Sequence, residues 1–379
     1  MMEAGRHPNI ELLAYSEVKK VDYRKGNFKV KVLKKARYVK EDVCTACGKC
    51  FEKCPKKVPS EFELGHGTRK AIYLSFPQGI PAVATIDKEN CLYFATGKCK
   101  VCEKFCDIGA IDFEQKAQTI IVEPGAIIVS TGFDMFDPSH LTQYGYGKYK
   151  NVITSLEYER LICAFGPTDG ELRKPSDGKH AKNIAYVQCV GSRSLKDNRF
   201  CSSVCCMHAT KEAMLAREHD PNAQSSIFYT DFRAVGKNFQ KYIKKGKEKY
   251  GINYIRSRVA EITEDNEHNP TIWYEDTESR KVKAKKFDMV VLSTSLIPQK
   301  DSPELAKMLG IELDEYGFFK TDPFSPTQAT RDGIFVCGYC QGPLDIPESV
   351  AQASAAAERA ASVILEGREL VSAGSKKGS

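Results

Sequence analysis

The sequence predicts an α/β protein with a cysteine-rich module set into it, and three observations lead there. From about residue 181 onward, strand-like runs alternate with helical ones, the pattern of a parallel sheet with helical crossovers. Ahead of that lies AIIVS (126–130), an unbroken apolar run that stops at Thr131-Gly132 and suits a central parallel strand covered on both faces. Between residues 44 and 106, eight of the fifteen cysteines fall in tight groups and interrupt the strand pattern on either side.

Taken in order, IELLAYSEV and NFKVKVLKKARYV read as strands, the second alternating apolar and basic residues, with a Lys25-Gly26-Asn27 turn between them. QTIIV and the AIIVS run follow the cysteine block. A second α/β unit then runs through strand NIAYVQCVG, helix ATKEAMLARE, strand SSIFYTDF, a helix across GKNFQKYIKKGKEKYG and strand INYIRSRVAEI. TIWYED and KVKAKKFDMVVLST read as a hairpin returning to a buried strand. DGIFVCGYCQG is a strand entering a loop, and ESVAQASAAAERAASVILEG is an alanine-rich helix that stops at Gly367. The expected division is a first domain over 1–38, 116–180 and 291–367, the inserted α+β module over 39–115, the second α/β unit over 181–290, and a disordered polar tail over 368–379.

The module's chemistry is written in its spacing. Cys44, Cys47, Cys50 and Cys54 form C-x2-C-x2-C-x3-C followed by Pro55, a two-cluster ferredoxin signature; Cys91, Cys99, Cys102 and Cys106 form a second group whose first gap is longer. In such runs three thiolates from one loop share a cubane with the last cysteine of the other run. Cys44, Cys47 and Cys50 are therefore expected with Cys106, and Cys91, Cys99 and Cys102 with Cys54, each set holding a 4Fe-4S cluster. Zinc also uses short cysteine spacings, but the signature run and the division into two sets of four favour iron-sulfur clusters that carry single electrons.

The strand ending at Ser130-Thr131-Gly132, and the strand GIFVCG leading through a glycine loop into a helix, resemble two FAD contacts of thioredoxin-reductase-like flavoproteins with two dinucleotide domains. By that resemblance Ser130, Thr131, Gly132, Gly338, Gln341, Gly342, Ser349, Val350 and Ala351 are the candidate flavin contacts. A helix N-terminus near Pro347 to Ser349 would aim its free N–H groups at the ring. HPNIELL, NFKVKVLKKARYV, CVGSRS with FCSSVCCMHATKEA, and GIFVCGYCQGPLDIPESVAQASAAAERAA together resemble the A subunit of heterodisulfide reductase, an iron-sulfur flavoprotein of methanogens and many anaerobes, over about residues 8 to 367. The flavin subunit of the quinone-interacting membrane-bound complex of sulfate reducers is similar as well.

This resemblance implies a thioredoxin-reductase-like fold with an inserted two-cluster ferredoxin domain, bound FAD, and an oxidoreductase subunit that acts on sulfur compounds only within a complex. It implies electrons relayed, and divided, between a hydrogenase or formate dehydrogenase type donor, ferredoxin and a disulfide-reducing partner, with neighbours of the B and C subunit types. Two departures stand out. No G-x-G-x-x-G precedes the module, so the turn that cradles the FAD pyrophosphate is missing here: either the sequence is a truncated form, or a split one with the fingerprint on a separate chain, or its start was misplaced. The late loop carries Leu344 where the family commonly has a lysine beside the flavin.

A second fingerprint, for a nicotinamide cofactor, should follow the strand NIAYVQCVG. Only Gly191 remains, with bulky Arg193, Leu195 and Lys196 after it, which argues against NAD binding. Cys189, Cys201, Cys205 and Cys206 stand there instead, just before a helix whose positive end favours thiolates. The resemblance implies a third 4Fe-4S cluster at these four; a redox disulfide or structural cysteines are the alternatives. Cys163, Cys337 and Cys340 read as core or loop cysteines and His208 as a helix-start residue. A non-catalytic electron relay and a nicotinamide-dependent oxidoreductase are the competing functional readings.

Composition adds exclusions. The 42% hydrophobic content suits real cores, no run of about 18 apolar residues occurs, and the N-terminus has no signal-peptide pattern, so a cytoplasmic protein is expected. The formal charge of +7 drops to roughly +1 if three cubanes bind, each about −2 with its thiolates. No basic stripe with interleaved aromatics points to nucleic acid. Lys241 to Gly251 reads as a solvated helix face.

Overall fold

The computed structural model describes residues 2–24 and 27–375, so Lys25 and Gly26 of the expected turn and the last four tail residues lie outside the described residues. The chain divides into two compact units, Met1–Pro124 and Gly125–Ser379.

The first unit contains α1 (Met2–Arg6), the antiparallel hairpin β1 (Ser16–Arg24) and β2 (Asn27–Lys34), and α2 (Lys49–Lys53). Two short antiparallel pairs follow, β3 (Lys57–Pro59) with β4 (Thr68–Lys70) and β5 (Ile72–Tyr73) with β6 (Thr85–Ile86). Then come α3 (Leu92–Thr96), α4 (Val101–Lys104) and β7 (Gln118–Val122). The alternation read from the sequence works as expected in β2: Phe28, Val30 and Val32 are buried, and the residues between them face water. Strand β1 begins only at Ser16, because residues 10–15 make no sheet pairing. Strand β7 pairs with β2, completing a three-stranded antiparallel sheet in which the module of short elements is an excursion between neighbouring strands.

The second unit is α/β. Its elements in order are β8 (Ile127–Val129), β9 (Asp134–Met135), β10 (Val152–Thr154), α5 (Ser155–Ile162), β11 (Asn183–Val190), α6 (Cys205–His219), β12 (Gln224–Tyr229), α7 (Phe239–Glu248), β13 (Asn253–Glu264), β14 (Pro270–Asp276), β15 (Lys281–Lys286), β16 (Met289–Thr294), β17 (Leu296–Ile297), α8 (Ser302–Leu309), β18 (Thr321–Asp322), β19 (Ser325–Ala329), β20 (Ile334–Val336) and α9 (Ile346–Ser375). The main sheet has the order β10-β16-β11-β12-β13-β14-β15, parallel through β13 and antiparallel beyond it. Both faces of its centre are covered, which is why β11 and β16 read as continuous apolar runs. Ile184 and Tyr186 pack with Tyr158 and Leu161 of α5 and Ala209 and Ala213 of α6. Ala185 and Val187 face the other way, toward Phe228, Ile262 and Ile272.

A smaller sheet, β18-β19-β20-β8, carries the AIIVS run. Strand β8 is parallel to β20 as expected, yet it is an edge rather than a central strand among the described residues, and Ile128 is 41% exposed. An apolar run reports burial on average; the missing second neighbour is a matter of topology. Helix α9 starts where expected, with the Asp345 carboxylate accepting from Glu348 N at 2.8 Å and the Glu348 carboxylate accepting from Asp345 N at 3.0 Å. It does not stop at Gly367 but continues to Ser375. One glycine costs about 1 kcal/mol in a helix interior, too little to end a helix of this length.

Candidate functional site

The cysteine module is built from short loops that need special backbone. Ala46 and Gly48 take positive φ (55° and 89°), letting the chain between Cys44 and Cys50 curl within a single turn before α2. Cys44, Cys47, Cys50 and Cys106 line one cavity, closed by Val39 and Phe51. Cys54, Cys91, Cys99 and Cys102 line a second, closed by Ile72 and Ile86. The crossed sets expected from spacing are thus the sets the fold gathers, including Cys91 despite its long gap. Backbone N–H groups already point at sulfur: Ala46 N donates to Cys44 Sγ at 3.5 Å and Ala110 N to Cys106 Sγ at 3.3 Å. Burial pushes the Cys50 thiol up to about 11 and the Cys102 thiol up to about 12. All fifteen cysteines are free. Two groups of four thiols, from the buried Cys91 and Cys102 to the exposed Cys47, with N–H donors aimed at sulfur in the first group, fit a thiolate-bound cluster in each cavity.

The third group sits where β11 meets α6. A register shift between Val187 and Val190 bulges the strand, and Cys189 takes a left-handed conformation (φ 62°) that few non-glycine residues adopt. Ser203 (φ 66°) turns the chain into α6, whose first turn holds Cys205 and Cys206, has no acidic residue, and starts from Val204 without a side-chain cap. The first N–H groups of the helix are thereby left without a side-chain cap. Burial raises Cys189, pushes Cys205 up to about 12 and Cys206 up to about 11, and the neighbouring Cys189 and Cys201 add to the last two shifts. Arg233 N donates to Cys206 Sγ at 3.5 Å and Ser203 N to Cys201 Sγ at 3.4 Å. Arg193, ion-paired with Asp231, lies with Nη1 3.9 Å from Cys189 Sγ.

The remaining candidates meet at the carboxyl ends of β8 and β20, which pair from Ile127 with Ile334 to Val129 with Val336. Ser130, Thr131 and Gly132 leave one strand and Gly338, Gln341 and Gly342 the other, and Ser349, Val350 and Ala351 open α9 beside them. Gly338 N donates to Gln352 Oε1 at 2.9 Å, and Gln352 Nε2 to Gln341 Oε1 at 3.1 Å, which fixes the loop against the helix. Gly132 and Gly338 take positive φ (77° and 76°), and a Cβ on Gly132 or Gly342 would meet nothing within 4 Å. The buried Thr131 hydroxyl lies beside the buried Cys340 thiol. Open glycines and a helix N-terminus on one loop cluster at the ends of parallel strands fit a planar, hydrogen-bonding cofactor.

Residues 213–360 match the family model described as pyridine nucleotide-disulphide oxidoreductase. The A subunit of the H(2):CoB-CoM heterodisulfide,ferredoxin reductase of Methanothermobacter thermautotrophicus is 45% identical over 370 residues, covering 97% of this chain and 55% of that protein. The A-type iron-sulfur subunit of the CoB--CoM heterodisulfide reductase of Methanocaldococcus jannaschii is 46% identical over 372 residues, 97% of this chain and 56% of that one. The A subunit of the H(2)/formate:CoB-CoM heterodisulfide,ferredoxin reductase of Methanococcus maripaludis is 48% identical over 372 residues, with the same coverage.

The chain belongs to the family of heterodisulfide reductase A subunits.

It spans about half the length of the curated relatives it matches (55–56%). The fold of this family member is thioredoxin-reductase-like, in line with its pyridine nucleotide-disulphide oxidoreductase match. Among solved structures, the T. acidophilum thioredoxin reductase has a TM-score of 0.43 at 16% identity, covering 81% of this chain and 88% of that one. Among the described residues no helix is long and apolar enough to cross a membrane.

Two features of this heterodisulfide reductase family chain escaped the sequence. Gly191, the surviving glycine of the second fingerprint, has φ 75°, and a Cβ there would lie 2.2 Å from the Phe136 ring, so an aromatic side chain rather than an open cradle covers it. Tyr339 stands in the glycine loop between Cys337 and Cys340, and its hydroxyl donates to Ser202 O at 3.0 Å, inside the third cysteine segment. That bond joins the loop of the flavin-type contacts to the loop of the third thiol group. Cys337 and Cys340 are buried, as core cysteines should be, and Cys163 is half-buried.

Proposed function

We propose that this chain is the electron-transfer core of a heterodisulfide reductase-type complex, holding two 4Fe-4S clusters in its cysteine module, a third at Cys189, Cys201, Cys205 and Cys206, and FAD against the loops after β8 and β20. The observation that carries the reading is the gathering of the module's eight cysteines into two cavities of four, each drawn crosswise from separate runs. When bound, the flavin supplies two-electron and the clusters one-electron chemistry. The chain's own residues set the terms. Buried thiols and N–H donors fix ligand geometry and moderate the charge on sulfur. Gly132, Gly338 and Gly342 admit a close-lying ring, and Tyr339 holds the flavin-side loop in register with Ser202.

In this reading electron pairs enter from a hydrogenase or formate dehydrogenase type partner and are divided between ferredoxin and a disulfide-reducing unit built from subunits of the B and C types. The FAD pyrophosphate rests on a glycine fingerprint outside these residues, on the same or a separate polypeptide. The nicotinamide alternative is disfavoured by Phe136 over Gly191 and by Arg193 pinned to Asp231.

The test is anaerobic purification of the native complex through this chain, with flavin, iron and sulfide assayed together. About twelve iron and twelve sulfide from this chain, with FAD present and ferredoxin reduction lost in a Cys102→Ser variant, is the expected result. A complex that carries the clusters but no flavin would reduce the chain to an electron relay, and stoichiometric zinc in place of iron would overturn the reading altogether.

A further inference from the structure

We propose that Glu159, His208 and Glu212 form a binding site for one divalent transition-metal ion of the Zn(II), Fe(II) and Mn(II) class, clamping α5 to α6. His208 and Glu212 are four residues apart and share one face of α6. Glu159 reaches them from α5. His208 Nε2 lies 2.6 Å from Glu159 Oε2 and 3.4 Å from Glu212 Oε1, and one donor atom from each residue falls within 4.8 Å of the others. The edge of a tetrahedral site with bonds of about 2.1 Å is about 3.4 Å, so an ion enters if Glu159 moves back by less than roughly 1 Å.

The second observation is the state of Glu212. It is fully buried, and neither carboxylate oxygen has a hydrogen-bond partner among the described residues. Buried carboxylates are ordinarily paired, hydrogen-bonded or metal-bound, and Glu212 has only the long 3.4 Å contact with His208 Nε2, which lies closer to Glu159 at 2.6 Å. The fully buried Tyr158 and Tyr186 border Glu212, but their hydroxyls face each other and, for Tyr186, Ser225, so neither serves it. The nearest ammonium does not serve it, because Lys211 Nζ bonds the other side of Glu159, at Oε1, 3.1 Å away. A cation between the two carboxylates and the imidazole uses the orphaned oxygens. One imidazole nitrogen with carboxylate oxygens and no sulfur suits borderline divalent ions better than soft Cu(I) or all-oxygen calcium sites.

The location gives the ion a purpose. His208 follows Cys206 by two residues, so a metal tied to α5 immobilises the first turn of α6, the turn that presents Cys205 and Cys206. The site uses none of those thiols and does not depend on what they bind.

The experiment uses full-chain protein purified anaerobically with its clusters intact and then dialysed against a mild chelator. MnCl2 is the probe, because manganese competes poorly for thiolates, and binding is read as loss of the free-ion EPR signal, with ZnCl2 as competitor. One equivalent should bind, zinc should displace it, and Tm should rise on binding. Glu212→Gln and Glu159→Gln should each weaken binding by about tenfold or more while iron and sulfide content stays at the wild-type level. Glu159 lies near the surface, so its variant keeps the test open if the buried Glu212 change impairs folding. Wild-type protein that binds neither ion stoichiometrically, or a Glu159→Gln variant that binds manganese as the wild type does, would overturn the proposal.

Discussion

The cysteines of 44–106 and those of 189–206 present the same donor atom through opposite uses of the backbone. In the first region the thiols sit on loops and helices of four or five residues, and the surrounding core is small, with Val39, Ile72, Ile86 and Phe113 among its members. In the second they sit at the end of an eight-residue strand and the start of a fifteen-residue helix, both anchored in a seven-stranded sheet. If clusters occupy both regions as proposed, a module with so little regular structure owes them a large part of its stability, whereas the sheet has its own core, and metal and fold are coupled in one region and separable in the other.

The largest expected effect breaks that comparison if it fails. Cys50→Ser combined with Cys102→Ser removes a ligand from each module cavity, and hydrogen exchange over residues 39–115 should approach that of an unfolded chain. Amides of β11 and β16 should stay protected. Equal loss of protection in both would mean that the sheet also depends on the module's metal. Next in size, Cys201→Ser with Cys205→Ser should remove about four of about twelve irons with little change in far-UV circular dichroism. Full iron content in that variant would show that the second region holds no cluster.

A backbone pair sharpens the contrast within the second unit. Gly191→Ala forces a Cβ to 2.2 Å from the Phe136 ring at φ 75°, and should cost about 2–3 kcal/mol in denaturant unfolding. Gly132→Ala has the same sign of φ, at 77°, and no neighbour within 4 Å, so only conformational strain of about 1 kcal/mol is expected. Similar costs for both would mean that Phe136 gives way. The smallest expected effect is none: NADH or NADPH mixed with the purified protein should bleach neither flavin nor clusters in stopped flow. Rapid bleaching would restore a nicotinamide site in the region where Phe136 covers Gly191.

Reading the sequence succeeded wherever the determining interaction was local. The C-x2-C-x2-C-x3-C-P run, the alternating burial of Phe28, Val30 and Val32, and the six buried residues of Met289–Thr294 follow from spacing and period. It was less successful at ends and edges: β1 starts at Ser16, α9 runs past Gly367, and β8 lies at the rim of its sheet. His208 read as a helix-start residue, although a histidine four before a glutamate on one helix face was visible in the sequence. Nothing there announced that Glu159 would meet them.

The sequence by itself determined the α/β class, the inserted module and the grouping of its cysteines, because residue period and ligand spacing act over a few bonds of chain. Only the tertiary structure decided that β7 returns to β2, that Phe136 covers Gly191, that Tyr339 reaches Ser202, and that Glu159 meets His208 and Glu212. These are contacts between segments far apart in the chain. They are selected by the packing of whole elements against one another, a free energy to which no single segment's composition or period corresponds.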